Sequence, residues 1–215
     1  MTTLTETLHA GEHIASLANG TRSQEAVTVL SGEDLAVGHV VGKVTLGAVS
    51  ETHAGNTGNG AMTLDATTPK LAGAQAGDYT VRCTAAASNG GTFRVFDPVG
   101  NVLGDVAVAA TFANQIKFAI ADGSADFIVG DTFTVTVAAG SGKVKEWNPA
   151  NLDGSQVVAG VMYDAVDATS ADQAGVITAR DAEVKAALLT YFTGADSGDE
   201  TLAAAQLAAI GIVAR

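Results

Sequence analysis

Apolar side chains fall on every second residue through much of the middle of this chain. The clearest runs are Tyr79/Val81/Cys83, Phe93/Val95, Ile116/Phe118/Ile120 and Phe133/Val135/Val137. A period of two puts one face of an extended strand into a core and the other into water. Strand candidates cover 62–67, 78–86, 92–96, 102–109, 115–121 and 132–138, the fourth being the weakest. Turn chemistry separates them. Asn89-Gly90-Gly91 leads into one strand. Asp97-Pro-Val-Gly-Asn101 suits a hairpin, with Pro at its second position and Gly where φ is positive. Short strands with regular turns and one apolar face each read as an all-β sandwich. The Cys-Trp-Cys spacing of immunoglobulin domains is absent, so "Ig-like" describes architecture only.

Composition narrows the choice. Hydrophobic residues make up 47% of the 215 positions, enough for a core, but aromatics only 5%. Ala, Val and Gly therefore carry the apolar count, which favours thin sandwiches over a deep aromatic pocket. With 25 Gly against 3 Pro, the chain has many turns needing positive φ and no Pro-rich linker. The formal net charge is −12, from 23 acidic and 11 scattered basic residues. Phosphate contacts need Lys and Arg, so no nucleic-acid partner is expected. The acidic excess keeps the protein soluble through self-repulsion. No apolar run approaches the ~20 residues that span a bilayer, so no membrane partner is expected. The start, Met1 to His9, lacks the basic and apolar regions of a signal peptide, which points to synthesis in a cytoplasm.

The chain divides by pattern. Residues 1–26 are polar and Thr-rich, with isolated Leu4, Leu8, Ile14 and Leu17. They read as an extended arm, ordered only against another surface. Val27–Leu30 is a short strand, Ser31–Asp34 a turn, and Val37–Leu46 a buried strand of a small barrel-like sheet. Residues 47–141 form a separate unit, which opens with the Gly- and Asn-rich loop 54–61. Gly42-Lys-Val-Thr45 just before it returns as Gly142-Lys-Val-Lys145 just after it. That echo fits two strands of one host sheet with a domain inserted at a hairpin tip. Beyond it, Trp147-Asn-Pro149 ends a strand, while 157–163 and 176–179 are further strands. The segment 180–192 is extended to about Val184 and then makes a short helical turn. Carboxylates of Asp196–Glu200 cap a helix over 201–209. Gly211 ends that helix, and Ile212-Val213 is a last short strand. The expected fold is mainly β with a small α component. A β-barrel-like α+β domain over 27–46 and 142–215 is interrupted by the sandwich over 47–141.

Chemistry-bearing motifs fall short of their patterns. Gly140-Ser-Gly-Lys143 resembles part of a phosphate loop, but Val137 and Val144 stand where Gly and Ser or Thr are required. His9 and His13 have helical spacing, yet Gly11 and Glu12 between them do not give the metalloprotease order. Asp164, Asp167 and Asp172, or Asp196 with Asp199 and Glu200, lack the alternating oxygens of a calcium loop. They read as loop charges and helix caps. Cys83 is a strand thiol, with Arg82 on the opposite face. No Ser-His-Asp or Cys-His set assembles. The reading is of a non-enzyme with no catalytic residues, no metal and no cofactor.

The order of three C-terminal segments carries a resemblance. Val158-Ala-Gly-Val-Met-Tyr-Asp-Ala-Val-Asp-Ala-Thr169 is followed by Ala179-Arg-Asp-Ala-Glu-Val184 and Leu207-Ala-Ala-Ile-Gly-Ile-Val213. With the opening run Leu30 to Thr45, this order resembles the lambda-type head decoration proteins of tailed phages. The resemblance covers roughly 1–46 and 142–215. It implies a structural virion protein that binds the outer surface of a mature capsid. It implies a homotrimer at three-fold positions that stabilises the shell, with the major capsid protein as partner. The N-terminal arm would add a strand to capsid-protein segments, through Leu4, Thr5, Thr7, Leu8, Ile14 and Leu17. Trp147, Asn148, Pro149, Ile210, Ile212 and Val213 are candidate capsid or trimer contacts. The insertion at 47–141 departs from simple members of the family. The alternative is a tail- or fibre-associated β-sandwich module that binds host surface glycans, which would give the inserted domain a host-surface ligand.

Overall fold

The computed structural model describes residues 6–215. Two compact units share the chain. One ends its first part at Val44 and resumes over Gly142–Arg215, and the other is Thr45–Ser141.

The first part of the split unit contains β1 (Ile14–Leu17), a helical turn α1 (Gly20–Ser23), β2 (Gln24–Val29), β3 (Asp34–Leu35) and β4 (Val40–Lys43). The middle unit follows with β5 (Leu46–Thr52), β6 (Ala61–Leu64), β7 (Gly77–Ala87), β8 (Gly90–Phe96) and β9 (Val102–Ala107). It ends with β10 (Thr111–Ala113), β11 (Lys117–Ala121) and β12 (Thr132–Ala139). The split unit then adds β13 (Val144–Glu146), β14 (Val158–Met162), β15 (Val166–Asp167), β16 (Gln173–Thr178) and β17 (Ala182–Val184). A 3-10 turn (Ala186–Leu188), α2 (Ser197–Ala209) and β18 (Ile212–Ala214) complete it.

The split unit is built on a closed barrel of order β13-β2-β16-β14-β4. Val40 and Val41 show why its strands read as continuous apolar runs. Val41 joins Val29, Leu35, Val144, Met162 and Ile177 in one cluster, whereas Val40 joins Trp147, Val161, Val184, Leu207 and Ile212 in another. A strand covered on both faces loses the alternation that a half-exposed strand keeps. The barrel wall is tight at Gly42, where a Cβ would lie 2.1 Å from the Ser155 carbonyl oxygen. The second cluster also takes Ala182 from β17 and Ala203 from α2. At the start of α2, the Asp196 carboxylate accepts from the Gly198 and Asp199 N–H groups at 2.7 and 3.0 Å. Asp199 returns the bond, its carboxylate accepting from the Asp196 N–H at 3.2 Å, which completes a capping box. The helix thus starts at Ser197, a turn before the expected 201.

The middle unit is a β-sandwich. Its sheets have orders β5-β12-β7-β8-β9 and β10-β11-β6, with antiparallel neighbours throughout. One core joins them. Tyr79, Val81, Cys83, Phe93, Val95, Phe133, Val135 and Val137 come from the larger sheet, and Met62, Phe112, Phe118 and Ile120 from the smaller. The alternating residues of the sequence are these same inward faces. In the Asp97–Asn101 hairpin, Gly100 has φ 92° and the Asp97 carboxylate accepts from the Val99 and Asn101 N–H groups.

Two expectations change. Residues 1–26 were expected as one extended arm, but from Ile14 onward the chain is built into the split unit as β1, α1 and β2. β2 pairs with β16 over its whole length, Gln24 to Val29. Its Gln, Glu and Thr residues hide the period because one face of the strand is solvated. The run Val37–Leu46 is also not a single strand. β4 stops at Lys43, and β5 opens at Leu46 in the sheet of the middle unit, with Leu46 opposite Ala139 and Val49 opposite Val137. Gly, Ala, Ser and Glu in β5 gave no signal of their own. The echoing tetrapeptides lie side by side, with Val144 opposite Lys43 and Lys145 opposite Gly42.

Candidate functional site

The surface of interest lies in the split unit, where the N-terminal segment meets β1, β17 and β18. Before β1 the chain makes a turn rather than a strand. The Gly11 N–H donates to the Tyr163 carbonyl at 2.8 Å. Gly11 has φ 72°, and a Cβ there would lie 2.7 Å from the Tyr163 ring, so this crossing requires glycine. Lys185 holds the segment from the other side. Its N–H donates to the His13 carbonyl at 2.7 Å and its Nζ to the Glu12 carbonyl at 3.0 Å. A groove of about 410 Å³ runs beside the segment, lined by Thr7, Leu8, Val37, Asp164 and Thr190 among others.

β1 then pairs antiparallel with β17, Ile14 opposite Val184 and Leu17 opposite Ala182. β18 pairs parallel on the other side of β17. The order β1-β17-β18 leaves β1 and β18 each with one edge that no described strand covers. Such an edge presents a row of backbone donors and acceptors that another chain can extend.

The sequence-derived contacts separate into three groups. Leu4 and Thr5 lie outside the described residues. Thr7 is exposed, Leu8 is half-buried beside the groove, and Val213 on β18 is 43% exposed. The others are built into the unit. Ile14 and Leu17 are half-buried in β1, with Leu17 packed against the cluster that holds Trp147. Trp147 and Ile212 are fully buried and present no side chain to a partner. The Trp147 Nε1–H donates to the Gln156 carbonyl at 2.9 Å, and its ring centroid lies 6.0 Å from that of Phe192. Trp147, a candidate contact by sequence, is a core residue. Asn148 caps a turn by accepting from the Ala150 N–H, Pro149 is half-buried, and Ile210 packs half-buried at the end of α2.

Two histidines of this unit are buried. The His39 Nε2 lies 3.0 Å from a Glu146 carboxylate oxygen. Burial pulls the His39 imidazole below its ordinary value, against the opposing pull of Glu146, Glu33 and Asp34. His13 is wholly buried, and neither ring nitrogen has a partner among the described residues. Burial first, and the Lys185 charge second, push it down to about 4. The sequence marked His13 only by its spacing from His9, and those two do not converge on a shared ligand set. Among the described residues no group of three or more His, Cys, Asp or Glu side chains gathers around a metal position. The acidic candidates disperse into local bonds. Asp167 accepts from Thr169, and Asp172 accepts from the Ser31 N–H and pairs with Lys143.

Two crystal structures of Xanthomonas campestris FlgL, in space groups H3 and C2, align at 22% and 24% identity. Each alignment covers 49% of this chain but only 34% and 33% of the FlgL chains, with TM-scores of 0.32 and 0.30. Likenesses at that level carry no argument. Among curated proteins none matches. The family model of bacteriophage lambda head decoration protein D matches residues 3–212, nearly the whole sequence. The chain therefore belongs to the bacteriophage lambda head decoration protein D family, whose members are structural proteins of the phage capsid.

Proposed function

We propose that the protein binds the outer surface of the mature phage shell as a homotrimer at three-fold positions and stabilises the shell there. Its partners are the major capsid protein and two further copies of itself, and it is made in the host cytoplasm before joining the virion. The observation that carries this reading is the family match over residues 3–212. The split unit supplies a physical route to attachment. Its β1-β17-β18 sheet has edges that no described strand covers, and the exposed Thr7 and half-buried Leu8 lie on a segment that runs along the surface. A chain leading into an open sheet edge can exchange backbone hydrogen bonds with a partner strand. Leu4, Thr5, Thr7 and Leu8 are the proposed arm contacts. Val213, exposed on β18, is the proposed contact from the C-terminal group.

Co-sedimentation with purified shells tests the reading. The protein should pellet with expanded, mature shells and stay in the supernatant with unexpanded ones. Shells carrying it should withstand heat or chelator treatment that ruptures bare shells. Retention on host-cell glycans with no binding to either kind of shell would overturn the proposal.

A further inference from the structure

We propose that His13 is an acid-sensitive latch. Its neutral imidazole holds residues 6–13 against the split unit, and protonation releases them. The idea goes beyond the capsid reading and does not need it, because the latch is a property of the free chain.

The geometry carries the inference. The side chain of His13 is wholly buried at the turn where the N-terminal segment docks. Neither Nδ1 nor Nε2 has a hydrogen-bond partner among the described residues. A neutral ring leaves an N–H and a lone pair unpaired there, at a smaller cost than burying a charge. An imidazolium would bury a charge with no acceptor, which is costly. The surrounding groups add to the cost. From the stretch after β17, Lys185 presents a positive charge to the ring. On its own segment, the Glu12 carboxylate is turned away and accepts from the His9 N–H at 2.9 Å. His9 itself faces Glu6. From the segment before β4, Gly38 lies against His13, and His39 beyond it is engaged with Glu146. Glu33 and Asp34 act on His39. No carboxylate is therefore placed to welcome a proton on His13.

The sign follows by linkage. The docked pKa of about 4 lies below the ordinary 6.5 of a solvated imidazole. Docking is fully favoured above about pH 6.5 and weakens as pH falls through that value towards 4, because the released segment binds the proton more readily. The bonds that would break are few. They are chiefly Gly11 N–H to Tyr163, Lys185 N–H to His13, and Lys185 Nζ to Glu12.

Amide hydrogen exchange on the full chain reads the release. With rates corrected for the intrinsic pH dependence of exchange, opening at Gly11 and Lys185 should rise roughly 70-fold from pH 7.5 to 4.5. Amides of the β2–β16 ladder should change far less. In His13→Phe the step should vanish, whereas in His39→Gln it should persist. Titration of the His13 ring protons by NMR gives a second measure that needs no variant, and its midpoint should lie clearly below 6.5. An unchanged step in His13→Phe would overturn the latch. So would a ring midpoint near 6.5 with the segment still docked, or an equal rise at the barrel amides, which would mean acid unfolding of the whole unit.

Discussion

Val144 lies directly opposite Lys43 in an antiparallel pairing, so the chain leaves the split unit and returns to it on neighbouring barrel strands. The Val44 N–H donates to the Lys143 carbonyl, and the Gly142 N–H to the Val44 carbonyl, both at 2.9 Å. The buried clusters do not share residues across the two units: one lies wholly within 46–137, and the other two lie outside it. Replacing residues 46–141 by Asn-Gly, a turn suited to two-residue hairpins, should therefore leave a folded split unit. Circular dichroism and a cooperative thermal melt check this. A molten product would mean that the barrel depends on the middle unit.

The N-terminal segment yields a separable prediction. Because β1 begins at Ile14 and carries part of the packing, a deletion should stop short of it. Removing residues 1–12 should change the thermal midpoint by only a few degrees. The same deletion should weaken binding to mature shells at least about tenfold, the loss expected if it removes ~1.4 kcal/mol or more of contact energy. Normal shell binding by the truncated protein would move the contact elsewhere on the split unit.

Trp147 should behave as a core residue and not as a contact. Trp147→Ala should cost about 3–5 kcal/mol in denaturant unfolding, since it empties a large buried site and leaves the Gln156 carbonyl only the long bond from the Gln206 amide. The fraction that remains folded should still bind shells.

In the middle unit, Asp131 ties two loops together. Its buried carboxylate accepts from the Thr57, Gly58 and Ile128 N–H groups at 2.9, 2.9 and 3.1 Å. Burial alone would raise its pKa, but these donors hold it below the ordinary 3.8. Its contribution is present above that value and is lost as pH falls through the lower, folded value. Asp131→Ala should destabilise the protein by about 2–3 kcal/mol near neutral pH, through three unpaired N–H groups. That gap should shrink in strongly acidic solution. A gap that does not change with pH would show that the carboxylate's charge plays no part.

The middle unit was the more legible half of the sequence. Phe93/Val95 and Phe133/Val135/Val137 alternate because each of those strands has one face in the core. β5 was invisible, since Gly47 and Ala48 fall at a register shift while Ser50 and Glu51 pair through backbone, and none of the four brings apolar contrast. In the split unit, Val40 and Val41 are both buried, so period two disappears there. Trp147 was legible as important but misleading as to role, because sequence alone does not tell a core anchor from a surface anchor. His13 could be singled out only by spacing. Its burial depends on Gly38 and Lys185, which come from distant parts of the chain.

The most direct test of the central claim is a cryo-electron density map of mature shells of the parent phage, saturated with the protein. The account predicts three copies of the chain around each three-fold position on the outer face, with Leu4, Thr5, Thr7 and Leu8 against the capsid protein. Bare three-fold positions, with the protein found on the tail or inside the shell, would contradict it.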